Sequence, residues 1–148
     1  MVAKTALEAV TEYLVTKQLG ARTEVVRALY DYFVNNASPS DIAGRYGIGK
    51  HQVRGYVQRI MEKCDGNLAR ARAIIRRVAP LVLELEPVMV PANDGELYRC
   101  KICNQKVPAY VADKHVAYYH RPLIELYTDR IVSTIIEQVS SKHAKRAG

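Results

Sequence analysis

Cys100-Lys101-Ile102-Cys103, followed by His115 and His120, constrains this 148-residue chain more tightly than any other feature. Four soft or borderline donors at these spacings serve a single chemistry only if the intervening backbone folds back to bring them together. The chain has three cysteines, too few for a closed disulfide framework. Its first residues include the acids Glu8 and Glu12 and no apolar leader, so a cytoplasmic location is expected. There a Cys-x2-Cys pair reads as a metal or redox site and not as a staple. Cys64, alone at the end of a helical pattern, reads as a small buried apolar residue.

With Tyr98 two residues before Cys100 and Val107 at a second apolar position, this run resembles the two-cysteine, two-histidine zinc finger family. The resemblance implies a ββα unit over 97–121 and zinc held by Cys100, Cys103, His115 and His120. Two departures stand out. Eleven residues separate Cys103 from His115 instead of about 12. Ala112 stands where the family has a large apolar residue, for which Val111 is expected to compensate. Histidines five apart do not stack on a regular turn, so the last turn is expected to widen or tighten. The positions that read bases in DNA-binding fingers fall on Pro108, Val111 and Lys114. Proline and valine are poor readers, so a structural or protein-contact role is expected here. A unit this small has little core, and zinc should supply much of its folding energy.

The remainder reads as mainly α. Apolar residues recur at helical spacing in 3–19 (Leu7, Val10, Tyr13, Leu14), with Gly20 as a stop. Thr23 is expected to cap a second helix carrying Val26, Leu29, Tyr30 and Phe33. Ser38-Pro39-Ser40-Asp41 opens a short helix that Gly47-Ile48-Gly49 breaks, and Lys50–Lys63 forms a longer one. Asn67 caps a helix with the stripe Leu68, Ala71, Ile74, Ile75 and Val78, which Pro80 is expected to kink or end. Its arginines Arg70, Arg72, Arg76 and Arg77 suit either a solvated face or a phosphate track. Pro87, Pro91 and Asn93-Asp94-Gly95 mark a linker. The expected organisation is therefore a helical domain over 1–86, a linker over 87–96, the finger over 97–121, and a last helix with basic tail over 122–148.

The run from Asp41 to Ile60 resembles the helix-turn-helix of transcriptional repressors and site-specific recombinases. Ala43 is small where two helices cross, and Gly47 supplies the left-handed turn residue. Ile48 fills the space beneath the turn, Ile42 and Tyr46 face inward from the first helix, and Val53, Tyr56, Val57 and Ile60 from the second. Gly55 leaves room for a close approach. The resemblance implies that the second helix enters the major groove, with Lys50, His51, Gln52, Arg54 and Gln58 toward base edges. Ser40, Arg45 and Arg59 are then expected at phosphates. Gly44 to His51 nearly spells a phosphate-binding P-loop, but His51 stands where Ser or Thr must hold magnesium and no apolar strand precedes Gly44.

Charge agrees with a polyanionic partner. Lys plus Arg number 22 against 15 acids, a net +7, spread along the chain and not confined to a tail. The longest apolar runs, such as Val78–Leu83, are too short to span a bilayer. Four protein ligands leave no open metal position, and no acid–base pair or nucleophile motif appears, so no enzyme activity and no small-molecule substrate are expected. Leu123, Ile124, Leu126, Tyr127, Ile131, Val132, Ile135, Ile136 and Val139 cover more than one face of the last helix. Pairing of two chains through Pro122–Ser140 is expected, with packing on the N-terminal helices as the alternative. The combination is similar to small regulators of archaea and their viruses or plasmids. It implies a sequence-specific double-stranded DNA-binding transcriptional regulator. The alternatives are a zinc-stabilised protein adaptor or a sequence-independent architectural nucleic-acid-binding protein.

Overall fold

The computed structural model describes residues 4–92 and 95–147, with side chains up to Lys142. Asn93 and Asp94 of the linker turn, and the side chains of the basic tail His143-Ala144-Lys145-Arg146, lie outside the described residues. The fold is mainly α with one small antiparallel sheet. In chain order come α1 (Ala6–Leu19), α2 (Thr23–Phe33), α3 (Pro39–Tyr46), α4 (Lys50–Lys63) and α5 (Leu68–Leu83). Strands β1 (Met89–Pro91), β2 (Leu97–Cys100) and β3 (Lys106–Pro108) follow, then a 3-10 turn (Ala109–Val111), α6 (Ala112–Tyr119) and α7 (Arg121–Ala147).

Helix α1 is the hub. Val10, Leu14, Val15 and Leu19 are fully buried, and so is Thr11, whose hydroxyl donates to Leu7 O at 2.7 Å. The sequence reading gave α1 one apolar face. It is covered on several sides, because α2, α4, α5, α6 and α7 all pack on it. Buried Gln18 finds a partner in Leu85 O at 2.8 Å, tying α1 to the chain after α5.

The helix ends follow local chemistry. Thr5, Ser38 and Asn67 cap α1, α3 and α5 by accepting from the amides of Glu8, Asp41 and Arg70. Thr23 does not cap α2: it is the first helical residue, and Arg22 occupies the cap position without a side-chain capping bond, its guanidinium bonding Glu24 and Tyr56 instead. The α1–α2 turn is too tight to leave Thr23 outside, with Arg22 N bonded to Lys17 O at 2.8 Å and Ala21 at φ 62. Pro80 does not end α5, which runs on to Leu83 with the proline ring on its exposed side. Leu68, assigned to the inward stripe by spacing, is exposed at the first turn.

Two corrections concern the C-terminal part. Residues 89–91 of the stretch read as a linker form β1, so the sheet has three strands and not the two of a ββα unit. β1 pairs with β2 in the register Met89↔Cys100 and Pro91↔Tyr98. Prolines 87 and 91 are compatible with an edge strand, whose outer amides need no partner. The C-terminal segment also shares the main core: Met89 of β1, Cys100 of β2, Ala112 and Val116 of α6 and Ile124 of α7 join α1, α2 and α5 residues in a single buried cluster. A separate small cluster of Ala28, Ile42 and Val53 holds α2, α3 and α4 together.

Packing also accounts for most of the wide apolar surface of α7. Ile124, Ile131 and Ile135 are buried, and Leu123, Tyr127, Val132 and Val139 are half-buried. Of that stripe only Leu126 and Ile136, at 45% and 55% exposure, stand in solvent.

Candidate metal centre and the surface of α4

Cys100, Cys103, His115 and His120 converge, with one ligand atom from each lying within 4.8 Å of the others. Cys100 Sγ is 3.3 Å from His120 Nε2, and Cys103 Sγ is 3.4 Å from His115 Nε2. Tetrahedral bonds of about 2.3 Å to sulfur and 2.0–2.1 Å to nitrogen place S and N about 3.6 Å apart, so these two separations are close to those of a four-coordinate site. Two thiolates and two imidazoles are the donor set of structural zinc sites.

Each ligand is positioned by local backbone. Cys100 ends the central strand β2, and its amide donates to Gln105 O at 2.9 Å. The knuckle closes through Asn104 N to Cys100 O at 2.8 Å, with Asn104 at φ 65. Lys101 N bonds Val88 O at 2.8 Å, so the residue before β1 holds the knuckle from outside. His115 lies in α6. The expected distortion of the last helical turn does not occur: α6 stops at Tyr119, and His120 leaves helical geometry at φ −127, ψ 35. That break turns its ring back toward Cys100, and α7 starts at once with Arg121.

Burial, and then the neighbouring His120 charge, pushes the His115 imidazole below its usual range. That direction favours the neutral ring, the form that ligates metal. Val111 does not stand in for a larger residue at 112. Ala112 itself enters the main core, and Val111 lies outside it, lining a surface groove. Next to Ala112 the end of α1 passes close to the backbone of α6. A Cβ on Gly20 would lie 2.4 Å from Asp113 Cα.

Ion pairs seal this contact. Lys17 Nζ is 2.6 Å from Asp113 Oδ2, with side chains only 17% and 8% exposed. Arg121 and Lys4 both bond Glu12. Burial alone would raise the Glu12 carboxyl, but hydrogen bonds and charge from Lys4 and Arg121 outweigh it and hold the group below the usual range. Sequence spacing carried no sign of these long-range partners.

Gly47 (φ 65) and Gly49 bracket Ile48 in the turn between α3 and α4. Ile48 packs against the small cluster under that turn, with Ala43 and Tyr46. Val53 and Ile60 are buried, and Tyr56 and Val57 are half-buried. Ser40, Arg45, Lys50, His51, Gln52, Arg54, Gln58 and Arg59 are all exposed. They are not equally available. Gln52 turns back to accept the Gly49 amide at 2.9 Å, and Gln58 bonds Glu62 at 3.2 Å. Arg45 is committed to Asp31 at 2.7 Å. Among the described residues, Lys50, His51, Arg54 and Arg59 have no ion pair or side-chain hydrogen bond.

Asp31 is the residue that sequence reasoning missed. It accepts from Arg45, Tyr46 and Asn35 and so fastens α3 onto α2. Burial would raise its carboxyl, but these three bonds and the Arg45 charge hold it low. The near P-loop of Gly44–His51 spans the end of α3, the turn and the start of α4, with helix and not strand before it.

No protein-family model matches this chain, and searches of characterised proteins and solved structures find no match either. No helix among the described residues is long and apolar enough to cross a membrane.

Proposed function

We propose that this chain is a sequence-specific double-stranded DNA-binding protein, a transcriptional regulator of the helix-turn-helix type whose C-terminal part is held by zinc. One observation carries the reading. The first turns of α4 present Lys50, His51 and Arg54 outward and unpartnered, with Val53 buried behind them. The only acid in the helix is Glu62, near its end. A helix held from behind by apolar residues, with free cationic and hydrogen-bonding side chains in front, suits the major groove. Arg59 extends the cationic surface along the helix toward phosphates. Arg45 has the weaker claim as a phosphate contact, because binding DNA would first have to release it from Asp31.

Zinc at Cys100, Cys103, His115 and His120 supplies cross-linking of β2, the knuckle and the end of α6, and all four positions are taken by protein. Nothing in that arrangement calls for catalysis. If two chains pair through Pro122–Ser140, Leu126 and Ile136 are the apolar side chains they have to offer, and sedimentation at micromolar concentration tests it.

Fluorescence anisotropy on random duplex and on DNA from upstream of the protein's own gene, at two salt concentrations, tests the main reading. Tight, salt-sensitive binding that prefers the upstream fragment and weakens in Arg54→Ala supports a sequence reader. Equal binding to both fragments points to an architectural role. No binding at low salt rejects DNA as the ligand and favours an adaptor.

A further inference from the structure

We infer that the outer face of α6 is a second nucleic-acid surface, one that takes unpaired bases and not duplex. Tyr118 and Tyr119 are 80% and 60% exposed, although tyrosine normally buries most of its ring. They meet edge to face at 4.9 Å between centroids, and Tyr119 lies 5.0 Å from the His115 ring. The metal ligand thus braces the aromatic pair from below. Together with Gln105, Val107 and Lys114 these side chains line one open groove.

Charge identifies the occupant. Residues 97–121 carry Arg99, Lys101, Lys106, Lys114 and Arg121 against a single acid, Asp113. That acid is buried and engaged by Lys17, Arg121 is bonded to Glu12 and Lys101 lies 3.9 Å from Glu86, which leaves Arg99, Lys106 and Lys114 as the cations of this segment without an acidic partner among the described residues. Lysine is depleted at the centres of protein–protein contacts, whereas exposed aromatics flanked by lysines are what a single strand uses, with bases stacked on rings and phosphates on ammonium groups. A duplex keeps its base faces stacked inside and offers none to Tyr118. The inference shares with the α4 reading only a polyanionic partner, and its ligand is different.

The test is anisotropy of labelled single-stranded oligothymidine, beside a hairpin duplex, with the full zinc-loaded chain. Tyr118→Ala and Lys114→Ala both alter exposed side chains outside the metal ligands, and circular dichroism checks that each folds. Tyr118→Ala should weaken the single strand about tenfold, the loss of one stacked base, and leave duplex affinity within about twofold. Lys114→Ala should lower the salt slope on the single strand by about 0.7. Absence of single-strand binding at low salt, or binding that Tyr118→Ala leaves intact, overturns the inference. So does self-association abolished by Tyr118→Ala, which assigns the face to protein contact. Failure of duplex binding alone leaves this surface standing and removes only the α4 reading.

Discussion

The Lys17 ammonium sits 2.6 Å from the Asp113 carboxylate, joining residues 96 positions apart. One belongs to the central helix α1 and the other to the helix that carries His115. Beside them the backbones of Gly20 and Asp113 approach so closely that a methyl group has no room. The segment that carries the four candidate ligands is consequently seated on α1 by an enclosed ion pair and a glycine contact, and does not hang from a linker.

Removing half of that pair should destabilise the whole chain. Lys17→Met leaves Asp113 enclosed without its counter-charge, and a loss of about 2 kcal/mol is expected, between the values for exposed and buried pairs. Gly20→Ala forces backbone apart and should cost about 1–3 kcal/mol. Urea titration of zinc-loaded protein measures both. A Gly20→Ala variant as stable as wild type would show that α6 is not seated on α1 in this way.

Metal removal should be local. Because Met89, Cys100, Ala112 and Val116 lie in the same core as α1 and α5, the helices need no ion to stay assembled. Chelation should therefore leave most far-ultraviolet helical signal in place and lower the melting temperature. Hydrogen exchange should accelerate in β2, the knuckle and α6. Cys103→Ser should reproduce the effect, since Cys103 is exposed and contributes to the ligand set without filling the core. Complete loss of helix on chelation would contradict this picture.

The same site gives the metal-free protein a pH dependence. His115 has its folded pKa pushed below the ordinary value of 6.5 by burial and by His120. The unfolded chain therefore binds the proton more readily, and stability from this group is complete above about pH 6.5 and falls as pH drops toward the folded value. Thermal melts of metal-free protein should show that decline, and a His115→Gln variant should show less of it.

Much of this was legible from residue spacing. Cys-x2-Cys with two histidines specified the ligand cluster, and Gly47-Ile48-Gly49 between Ile42 and Val53 specified the turn and its small core. Local signals failed where partners are distant. No spacing links Asp31 to Arg45, or Lys17 to Asp113, and the role of α1 as a hub was hidden because a helix covered on several sides has no single polar face. Strand β1 was missed because prolines at 87 and 91 read as breakers, yet an edge strand tolerates them.

Asp31 makes a separate acid-side prediction. Its carboxyl is held below the ordinary 3.8 by the bonds from Tyr46, Asn35 and Arg45, against the raising effect of burial. Its contribution is present above that ordinary value and disappears as pH falls through the lower folded one. Asp31→Asn keeps the shape but loses the charge, and should cost about 1–2 kcal/mol at neutral pH by loosening α3 from α2. Its stability curve should also be flatter below pH 4, which acid titration followed by circular dichroism measures.

The turn before α4 offers the sharpest local test. Gly47 holds φ 65 with open space around its Cα, so an added methyl meets no neighbour and the only penalty is backbone strain. Gly47→Ala should cost about 1 kcal/mol, and Gly47→Asn less, because asparagine tolerates the left-handed region. At Gly44 and Gly55, which lie inside helices with nothing near their Cα atoms, alanine should instead stabilise by about 0.5–1 kcal/mol. If α4 lies in the major groove, Gly55→Ala separates two properties: stability rises while DNA affinity falls, because the new methyl occupies space needed for the close approach of the duplex. Paired urea and anisotropy titrations read both, and a Gly55→Ala protein that gains stability with unchanged affinity places the duplex elsewhere on α4.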